Sequence, residues 1–462
     1  MKQNAIFNKY KNIFMIGIGG ISMSGIAEIL RAWDINVSGS NNVESKVTNH
    51  LMSIGVDVKI GHDEKNITNQ DLIIYTAAIS KDNPELVKAR DIGIPTIERA
   101  DFVGEMTKAY KESICISGTH GKSTTSSMVA SCFLQANMDP TIQIGAELDL
   151  INGNYRVGKS DYFILEACEY VDSFLKFHPK AEIILNIDND HLNYFKTLDN
   201  IKKSFTKYVN LVPEDGIVVV NDDDINCKEI YSDCKGKVIK YSLENSNADF
   251  YANNIKYNDL GYPTFDVYHN GEFYLTANLS VLGLHNVSNA LATIALCHVY
   301  NINKDDIIAG LKQYRGVGRR FEYIGTAKNN VLVYDDYAHH PTEIETTVNS
   351  VKCIKHNKSW AIFQPHTYSR TKDHFIEFGK ILANFDHIVI AEIYAARETN
   401  TFGISEADIV NVIKESNPNV ININKYDDIV NYLKENVKEN DLVITIGAGP
   451  VNEVGIKLLG LK

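Results

Sequence analysis

Short continuous apolar runs alternate with amphipathic stretches through residues 1–107: NIFMIG, then SGIAEILRAW, INVSGS, a helix-period segment, and DLIIYTAAI. Such runs read as strands buried on both faces, with the intervening stretches as helices covering them, so this region is predicted to be a Rossmann-like parallel α/β domain. The alternation resumes across residues 108–317, where DYFILEA and AEIILNID are predicted strands ending in polar clusters. Between 247 and 284 the texture changes to short alternating segments rich in Tyr and Asn, and Asn270-Gly271 divides DVYH from EFYLTANL as a tight hairpin would. A small antiparallel sheet is therefore predicted on this second domain. GVGRR at 316–320 reads as a hinge into a third domain, 318–462, with strands VLVYDDY, SWAIFQPH, HIVIAEIY and DLVITIGAG. The predicted class is α/β in three domains: an N-terminal Rossmann-like domain, a central P-loop ATPase-type domain and a C-terminal Rossmann-like domain.

Within this frame, residues 113–125, SICISGTHGKSTT, combine a buried strand, a glycine-hinged turn and a helix start carrying Lys122. That layout suits a nucleotide triphosphate, because backbone N–H groups and the helix N-terminus face the phosphates while an ammonium neutralises them. Gly118 and Gly121 allow close approach, and the Ser123 or Thr124 hydroxyl can ligate magnesium. The general P-loop would want its first glycine at Ile116, whereas here only Thr119 and His120 separate Gly118 from Gly121. Taken alone, the stretch also fits an ordinary strand-to-helix turn with a surface lysine.

The first glycine turn, Gly17-Ile18-Gly19-Gly20-Ile21-Ser22, invites a dinucleotide fingerprint, but Ser22 occupies its third glycine position. The second strand runs out at Ser40 and Asn41, where an NAD site would place an acid on the ribose. A lone pyrophosphate, a UDP group, NAD and a turn serving only packing all stay open here.

Composition narrows the classes. A chain of 462 residues with 44% hydrophobic content has material for several cores, and its charge of −12 with pI near 5.6 argues against a general nucleic-acid binder. The seven cysteines are odd in number, scattered and never spaced as CxxC, which disfavours a disulfide framework or zinc site and fits a reducing cytoplasm. No apolar run reaches membrane-spanning length, and MKQNAIFNKYKN lacks a signal-peptide core, so no integral membrane contact is expected.

Two further constellations carry candidate chemistry. Glu166, Glu169 and Asp172 follow one strand while Asp188, Asp190 and His191 follow another, so neighbouring strand ends could aim hard oxygen ligands and an imidazole at a phosphate chain. Asp335, Asp336, Tyr337, His339 and His340 crowd one strand end of the third domain, and His366, Arg370 and Lys372 the next, which suits carboxylate or phosphoryl recognition. A transition-metal site and a satisfied structural network are the alternatives for the histidine-rich end.

The segments GIGGISMSGIAE, SGTHGKSTT, EACEYVDSFL, ILNIDNDHLNYF, GLHNVSNALA, GVGRRFE, DDYAHHPTE, FQPHTYSRT, AEIYAARE and GAGPVNEVG, in that order over nearly the whole chain, resemble the Mur ligase superfamily. These are the ATP-dependent amide-forming ligases of peptidoglycan assembly, and the likeness is greatest to members that act on UDP-N-acetylmuramate and L-alanine. The resemblance implies that ATP phosphorylates the lactyl carboxylate, that the alanine amine attacks the acyl phosphate, and that a tetrahedral intermediate collapses to amide, ADP and phosphate. It implies that Lys122 holds the migrating phosphoryl group within a cradle of Gly118, Thr119, His120, Gly121, Ser123 and Thr124. Ser123 and Glu166 would take one Mg2+ and His191 a second; His285, Asn286 and Asn289 would lie at the adenine side; Arg320 and Asp336 would reach the nucleotide. Glu169, Tyr337, His339 and Arg370 would serve the alanine and muramoyl end, with Gly19, Gly20, Ser22 and Ser24 at the pyrophosphate and Ser38, Ser40, Thr76 and Asn83 nearby. The catalytic set would be Lys122, Glu166, His191, Arg320, Asp336 and His339 in a cytoplasmic monomer or weak homodimer.

Asn41, Asn193 and Thr367 depart from residues common in that family, and Phe205 and Thr206 near the position of a carbamylated lysine in some relatives predict no carbamylation. The nearest rival is a recycling ligase that attaches a preformed tripeptide to UDP-N-acetylmuramate, against which FQPHTYSRT favours the alanine reaction. An NAD-dependent oxidoreductase rests on the first glycine turn alone and is undermined by Ser22 and Asn41. A non-catalytic nucleotide-gated protein would keep the cradle but tolerate loss of Glu166 and His191.

Overall fold

The computed structural model describes residues 7, 9–258, 261–316 and 319–461, the side chain of Asn193 excepted. The predicted boundary at 317 and 318 lies outside them. Three sheets organise the chain into α/β domains. The apolar runs of the first domain form β1 (Asn12–Ile16), β2 (Asn36–Asn41), β3 (Asp57–Ile60), β4 (Leu72–Tyr75) and β5 (Thr96–Glu98), in the order β3-β2-β1-β4-β5. All are parallel, and the order reverses between β1 and β4, the position at which open sheets of this kind bind ligands. The glycine turn after β1 leads into helix Ile21–Ala32, whose buried face, Met23, Ile26, Ala27, Ile29 and Leu30, packs on the sheet.

The second sheet has ten strands in the order β15-β14-β13-β12-β11-β10-β6-β9-β7-β8. They are β6 (Glu112–Ser117), β7 (Thr141–Leu148), β8 (Gly153–Arg156), β9 (Tyr162–Glu166), β10 (Ala181–Ile184), β11 (Ile217–Asn221), β12 (Lys237–Ser242), β13 (Phe250–Tyr257), β14 (Pro263–His269) and β15 (Glu272–Asn278). The strand before the phosphate loop, β6, lies parallel between β10 and β9, so its C-terminal end opens between two other strand ends. The hairpin of β14 and β15 turns at Asn270 and Gly271, both with positive φ. These strands do not form a separate sheet: β13 pairs parallel with β12, which extends the central sheet. Helix Lys304–Gln313 packs so closely on helix Lys122–Gln135 that a Cβ on Gly310 would lie 2.7 Å from Cys132 Cα.

The third sheet runs β16-β17-β21-β18-β19-β20, comprising β16 (Glu322–Ala327), β17 (Val331–Asp336), β18 (Ser359–Phe363), β19 (His387–Ile390), β20 (Val420–Asn422) and β21 (Leu442–Ile446). Only β16 is antiparallel. Alternate residues of β18 enter different cores, Ala361 and Phe363 on one face, Trp360 and Ile362 on the other, as burial on both faces requires.

The chain forms two compact units. One comprises Met1–Asn253, Asp266–Ala277 and Ser288–Tyr314; the other comprises Asn254–Phe265, Asn278–Val287 and Arg315–Lys462. Within the first unit, one apolar core joins residues of the first sheet, such as Met15 and Val37, to residues of the second, such as Phe163 and Leu165. Among the described residues no helix is long and apolar enough to cross a membrane.

Candidate active site

Strand β6 ends at Ser117, and residues 118–121 turn the chain into helix Lys122–Gln135. Gly118 has φ +137° and Gly121, the helix N-cap, φ +85°, backbone that a side chain would strain. A Cβ on Gly118 would also fall 2.9 Å from Leu185 Cβ and 3.1 Å from Asn186 N. Asn186 clamps the turn. Its Oδ1 accepts from His120 N at 2.7 Å, its Nδ2 donates to His120 O at 3.0 Å, and its carbonyl accepts from Thr119 N at 3.0 Å. Asn186 is absent from the sequence-predicted set; its one sequence signal is an Asn placed directly after a buried apolar run.

Lys122 bends back over this turn. Its Nζ donates to Gly118 O at 2.6 Å, to Thr119 O at 3.0 Å and to Glu169 Oε2 at 3.1 Å. Burial pulls the ammonium's pKa down, but Glu169, Cys168 and Glu166 outweigh it and hold the group above its ordinary value, so Lys122 stays charged. Ser123 Oγ donates to Glu166 Oε2 at 2.7 Å, and the same carboxylate oxygen accepts from Gly145 N at 2.9 Å. Thr124 is half-buried beside them. His191, in a left-handed conformation at φ 54°, places Nε2 4.0 Å from Glu169 Oε1 and its ring 4.7 Å from that of Tyr170. The segment carrying Glu169 turns through Val171 and Asp172, both with positive φ, and Tyr194 OH donates to Asp172 Oδ2 at 2.6 Å. A β-branched residue in that region is strained, and such strain is held only where the surroundings over-determine it.

Lys122, Ser123, Glu166, Glu169 and His191 thus meet at one helix N-terminus. The donors suit a magnesium nucleotide: a hydroxyl and a carboxylate side by side, hard oxygen ligands, next to an ammonium and the glycine turn. His120 lies 3.2 Å from Asp188 Oδ2, and Asp188 N is tied to Thr119 Oγ1 at 2.9 Å. Asn289 brings its Oδ1 to 3.0 Å from the place a Cβ on Gly121 would take. Asn286 donates to Leu282 O at 2.8 Å, and burial lowers the His285 pKa to about 4, leaving a neutral imidazole.

At the first domain's switch point, Gly19 N donates to Asn41 Oδ1 at 3.2 Å, and a Cβ there would lie 2.8 Å from that side chain. The departure at Asn41 therefore closes the glycine turn from the side. Gly20 is the N-cap of helix Ile21–Ala32, Ser38 is half-buried on β2, and Thr76 follows β4. Three predicted contact residues spend their polar groups within the protein: Ser24 Oγ donates to Ile21 O at 2.9 Å, Asn83 Oδ1 caps helix Pro84–Asp91 through Glu85 N and Leu86 N, and Ser40 Oγ donates to Glu85 Oε2 at 2.6 Å. Glu85 is fully buried and also holds His62 Nδ1 at 2.7 Å and Asn66 Nδ2 at 2.7 Å. His62, Asn66 and Glu85 form a network that no spacing in the chain announces.

In the second unit, Asp336 closes β17. Burial raises its pKa to about 6, against the Thr347 hydrogen bond and Arg320, which lower it. Arg320 lies 3.6 Å from Glu343 Oε1 with its guanidinium 5.3 Å over the Tyr337 ring. His339 and His366 have ring centroids 5.9 Å apart, and Arg370 Nη1 lies 3.4 Å from His366 Nδ1. Burial lowers both histidines, with Arg370 adding to the effect, and His366 falls to about 4. Two neutral imidazoles beside an arginine can receive a carboxylate without competing for its charge. Thr367, another departure, caps the helix that carries Arg370. Arg319 is an unpredicted member: its Nε meets Asp335 Oδ2 at 2.9 Å and its Nη2 donates to Gly447 O at 2.7 Å.

Three family models match the chain: "Mur ligase family, catalytic domain" over residues 12–111, "Mur ligase middle domain" over 116–297, and "Mur ligase, glutamate ligase domain" over 319–449. The chain is 47% identical over 461 residues, covering all of both chains, to a UDP-N-acetylmuramate–L-alanine ligase of Clostridium botulinum (strain Hall). It is 46% identical over 448 residues to the Acetivibrio thermocellus protein of the same name, covering 97% of this chain and 95% of that one. Among solved structures, a UDP-N-acetylmuramate-alanine ligase of Thermotoga maritima superposes with TM-score 0.82 at 29% identity, covering 97% of this chain and 98% of that one.

Proposed function

Because the chain belongs to the Mur ligase family, we propose that it joins L-alanine to the lactyl carboxylate of UDP-N-acetylmuramate at the expense of ATP, in the cytoplasmic synthesis of peptidoglycan precursors. The observation that carries this reading is full-length identity of 47% to proteins of that name, in a chain whose phosphate loop holds a charged lysine near a hydroxyl–carboxylate pair.

The residues support a sequence of steps. A lactyl carboxylate oxygen attacks the γ-phosphorus of ATP, the bond to the β-phosphate oxygen breaks, and ADP leaves. The Lys122 ammonium, now resting on Gly118 O and Thr119 O, would swing onto the transferring phosphoryl group, where it stabilises charge that grows in the transition state. Ser123 and Glu166, with His191 for a second ion, would hold magnesium, which when bound would neutralise the phosphoryl oxygens. Glu169 holds Lys122 in place and keeps it protonated. The alanine amine then attacks the acyl carbon, and the tetrahedral intermediate expels phosphate to leave the amide. Tyr337, His339 and Arg370 would orient the amino acid, with Arg320 and Asp336 as partners of the nucleotide. The first glycine turn, Gly19 and Gly20 with Ser22, would hold the pyrophosphate of UDP at a helix N-terminus.

The test is phosphate release from ATP with magnesium, UDP-N-acetylmuramate and single amino acids or the stem tripeptide, omitting each component in turn. Release that needs both the sugar nucleotide and L-alanine supports the proposal. Tripeptide dependence would mean recycling, and no coupled release would return the loop to a binding role.

A further inference from the structure

Glu169 and His191 stand on different segments of the chain, yet their side chains approach to 4.0 Å. Asp172 ties the two segments together. Its Oδ2 accepts from Tyr194 OH at 2.6 Å, three residues beyond His191, and its Oδ1 accepts from the Oγ of Ser204, a buried residue of helix Leu198–Val209. Its backbone N–H donates to Glu169 O at 2.9 Å. One residue thus joins the turn bearing Glu169, the short helix Leu192–Phe195 that begins at His191, and a third element.

The backbone shows that this arrangement is imposed by its surroundings. Val171, Asp172 and His191 have φ of 51°, 58° and 54°, a region in which a valine is disfavoured by its branched Cβ. Such conformations persist where neighbouring contacts outweigh their cost. Phe174 supplies one set of contacts, its ring stacked on Tyr208 at 4.2 Å and edge-on to Phe205 at 5.1 Å, which seats the far end of the turn on helix Leu198–Val209. The Asp172 carboxylate supplies the other and carries a hydrogen bond to the His191 side. Tyr170, from the same turn, rests its ring 4.7 Å from that of His191, so a shift of the turn is felt at the imidazole. Both Asp172 oxygens are engaged by hydroxyls of the protein, and the residue therefore acts through its neighbours.

We propose that Asp172 is a positioning residue for the metal–nucleotide centre. By locking the Glu169 turn to the His191 segment, it sets where the imidazole can meet a divalent cation on the phosphates and where Glu169 holds Lys122. The proposal rests on the ligase reading above, through the roles given there to Lys122 and His191. Groups that orient metal ligands by hydrogen bonding are worth about 10–100-fold in metal affinity. Tyr194 is 41% exposed, so its bond competes with water and the lower end of that range applies.

The experiment measures, by calorimetry on the full chain, Kd for the non-hydrolysable analogue β,γ-imido-ATP with and without Mn2+. The native protein is compared with Tyr194→Phe, Asp172→Gly and Asp172→Asn. Glycine adopts the left-handed backbone without strain, so Asp172→Gly removes the carboxylate alone; asparagine also tolerates that backbone and restores one acceptor oxygen. Tyr194→Phe and Asp172→Gly are each expected to weaken binding with Mn2+ about tenfold and to leave metal-free binding as in the native protein, and Asp172→Asn should recover part of the loss. In turnover, the Mg2+ concentration giving half-maximal rate should rise while KM for the sugar nucleotide holds. Native-like affinity with Mn2+ in Tyr194→Phe, or an equal loss with and without metal in either variant, overturns the proposal. Tyr194→Phe changes one surface hydroxyl and keeps the test decisive should Asp172→Gly fail to fold. A native protein that binds the analogue neither with nor without Mn2+ would overturn the ligase reading instead, and that result is read first.

Discussion

Replacing Lys122 by Met should damage turnover and stability together, and Glu169 allows the two to be separated. The ammonium and carboxylate are 3.1 Å apart at 13% and 2% side-chain exposure, so the pair is shielded from water. Removing the cation alone strands a carboxylate in that environment, which costs about 3–5 kcal/mol when one partner of a buried pair is deleted. Glu169 can relieve part of this by taking a proton, which places the loss toward the lower end of that range. In the double variant Lys122→Met/Glu169→Gln no charge is stranded, and most of the stability should return. Turnover should not follow, because loss of a charge that acts in the transition state costs about 10²–10³-fold, or roughly 3–4 kcal/mol of barrier. Urea unfolding and phosphate release are measured on the native protein and all three variants. Glu169→Gln alone should retain a charged Lys122 and lose turnover by less than the lysine variant, since it removes positioning and leaves the cation. If the double variant regains turnover to within a few-fold of native, Lys122 serves only the fold, and its assigned role in phosphoryl transfer is wrong.

Three further outcomes are expected. Asp336 has a folded pKa of about 6, above the unfolded value, so the folded state binds the extra proton and stability falls as pH rises from about 4 to about 6, then levels. Asp336→Asn should abolish that segment of the unfolding profile, with a gain above pH 6 on the order of 2–3 kcal/mol; an unchanged slope would refute the burial argument. Glu182, on β10 and fully buried with neither carboxylate oxygen bonded among the described residues, has its pKa pushed well above the usual range by desolvation. Glu182→Met should raise the unfolding midpoint, remove a loss of stability with rising pH that begins near the unfolded carboxylate pKa of about 4.3, and leave kcat unchanged; lower stability in the variant would show that the carboxyl has partners. Asn186→Ala removes both side-chain bonds to His120 and should raise KM for ATP about tenfold, with KM for the sugar nucleotide steady; equal changes in both would point to general unfolding of the domain.

The class of fold and the phosphate loop were legible in the chain because their signals are local. Buried parallel strands need unbroken apolar runs, and β1, β6, β9 and β10 coincide with such runs to within a few residues. The loop's glycines are dictated by backbone φ at Gly118 and Gly121, and its lysine and serine follow within five residues. The Asn270-Gly271 hairpin was equally plain, yet its attachment to the edge of the central sheet was not, because edge pairing is a choice between surfaces that local sequence does not encode.

Partnership over long separations belongs to the tertiary structure alone. Glu169 meets Lys122 across 47 residues, which depends on the register of β9 beside β6 and on the left-handed turn through Val171 and Asp172. Gln143 and Ser22 are 121 residues apart, and the acceptor left open on Gln143 exists only because the first domain's helix start packs against β7. Ser40 and Asn83 show the reverse: the family resemblance implies ligand contacts for both, whereas the folded chain ties Ser40 Oγ to Glu85 and Asn83 Oδ1 to a helix cap. A sequence states which groups are available at each strand end, while close packing decides which of them are spent on the protein and which are left for a ligand.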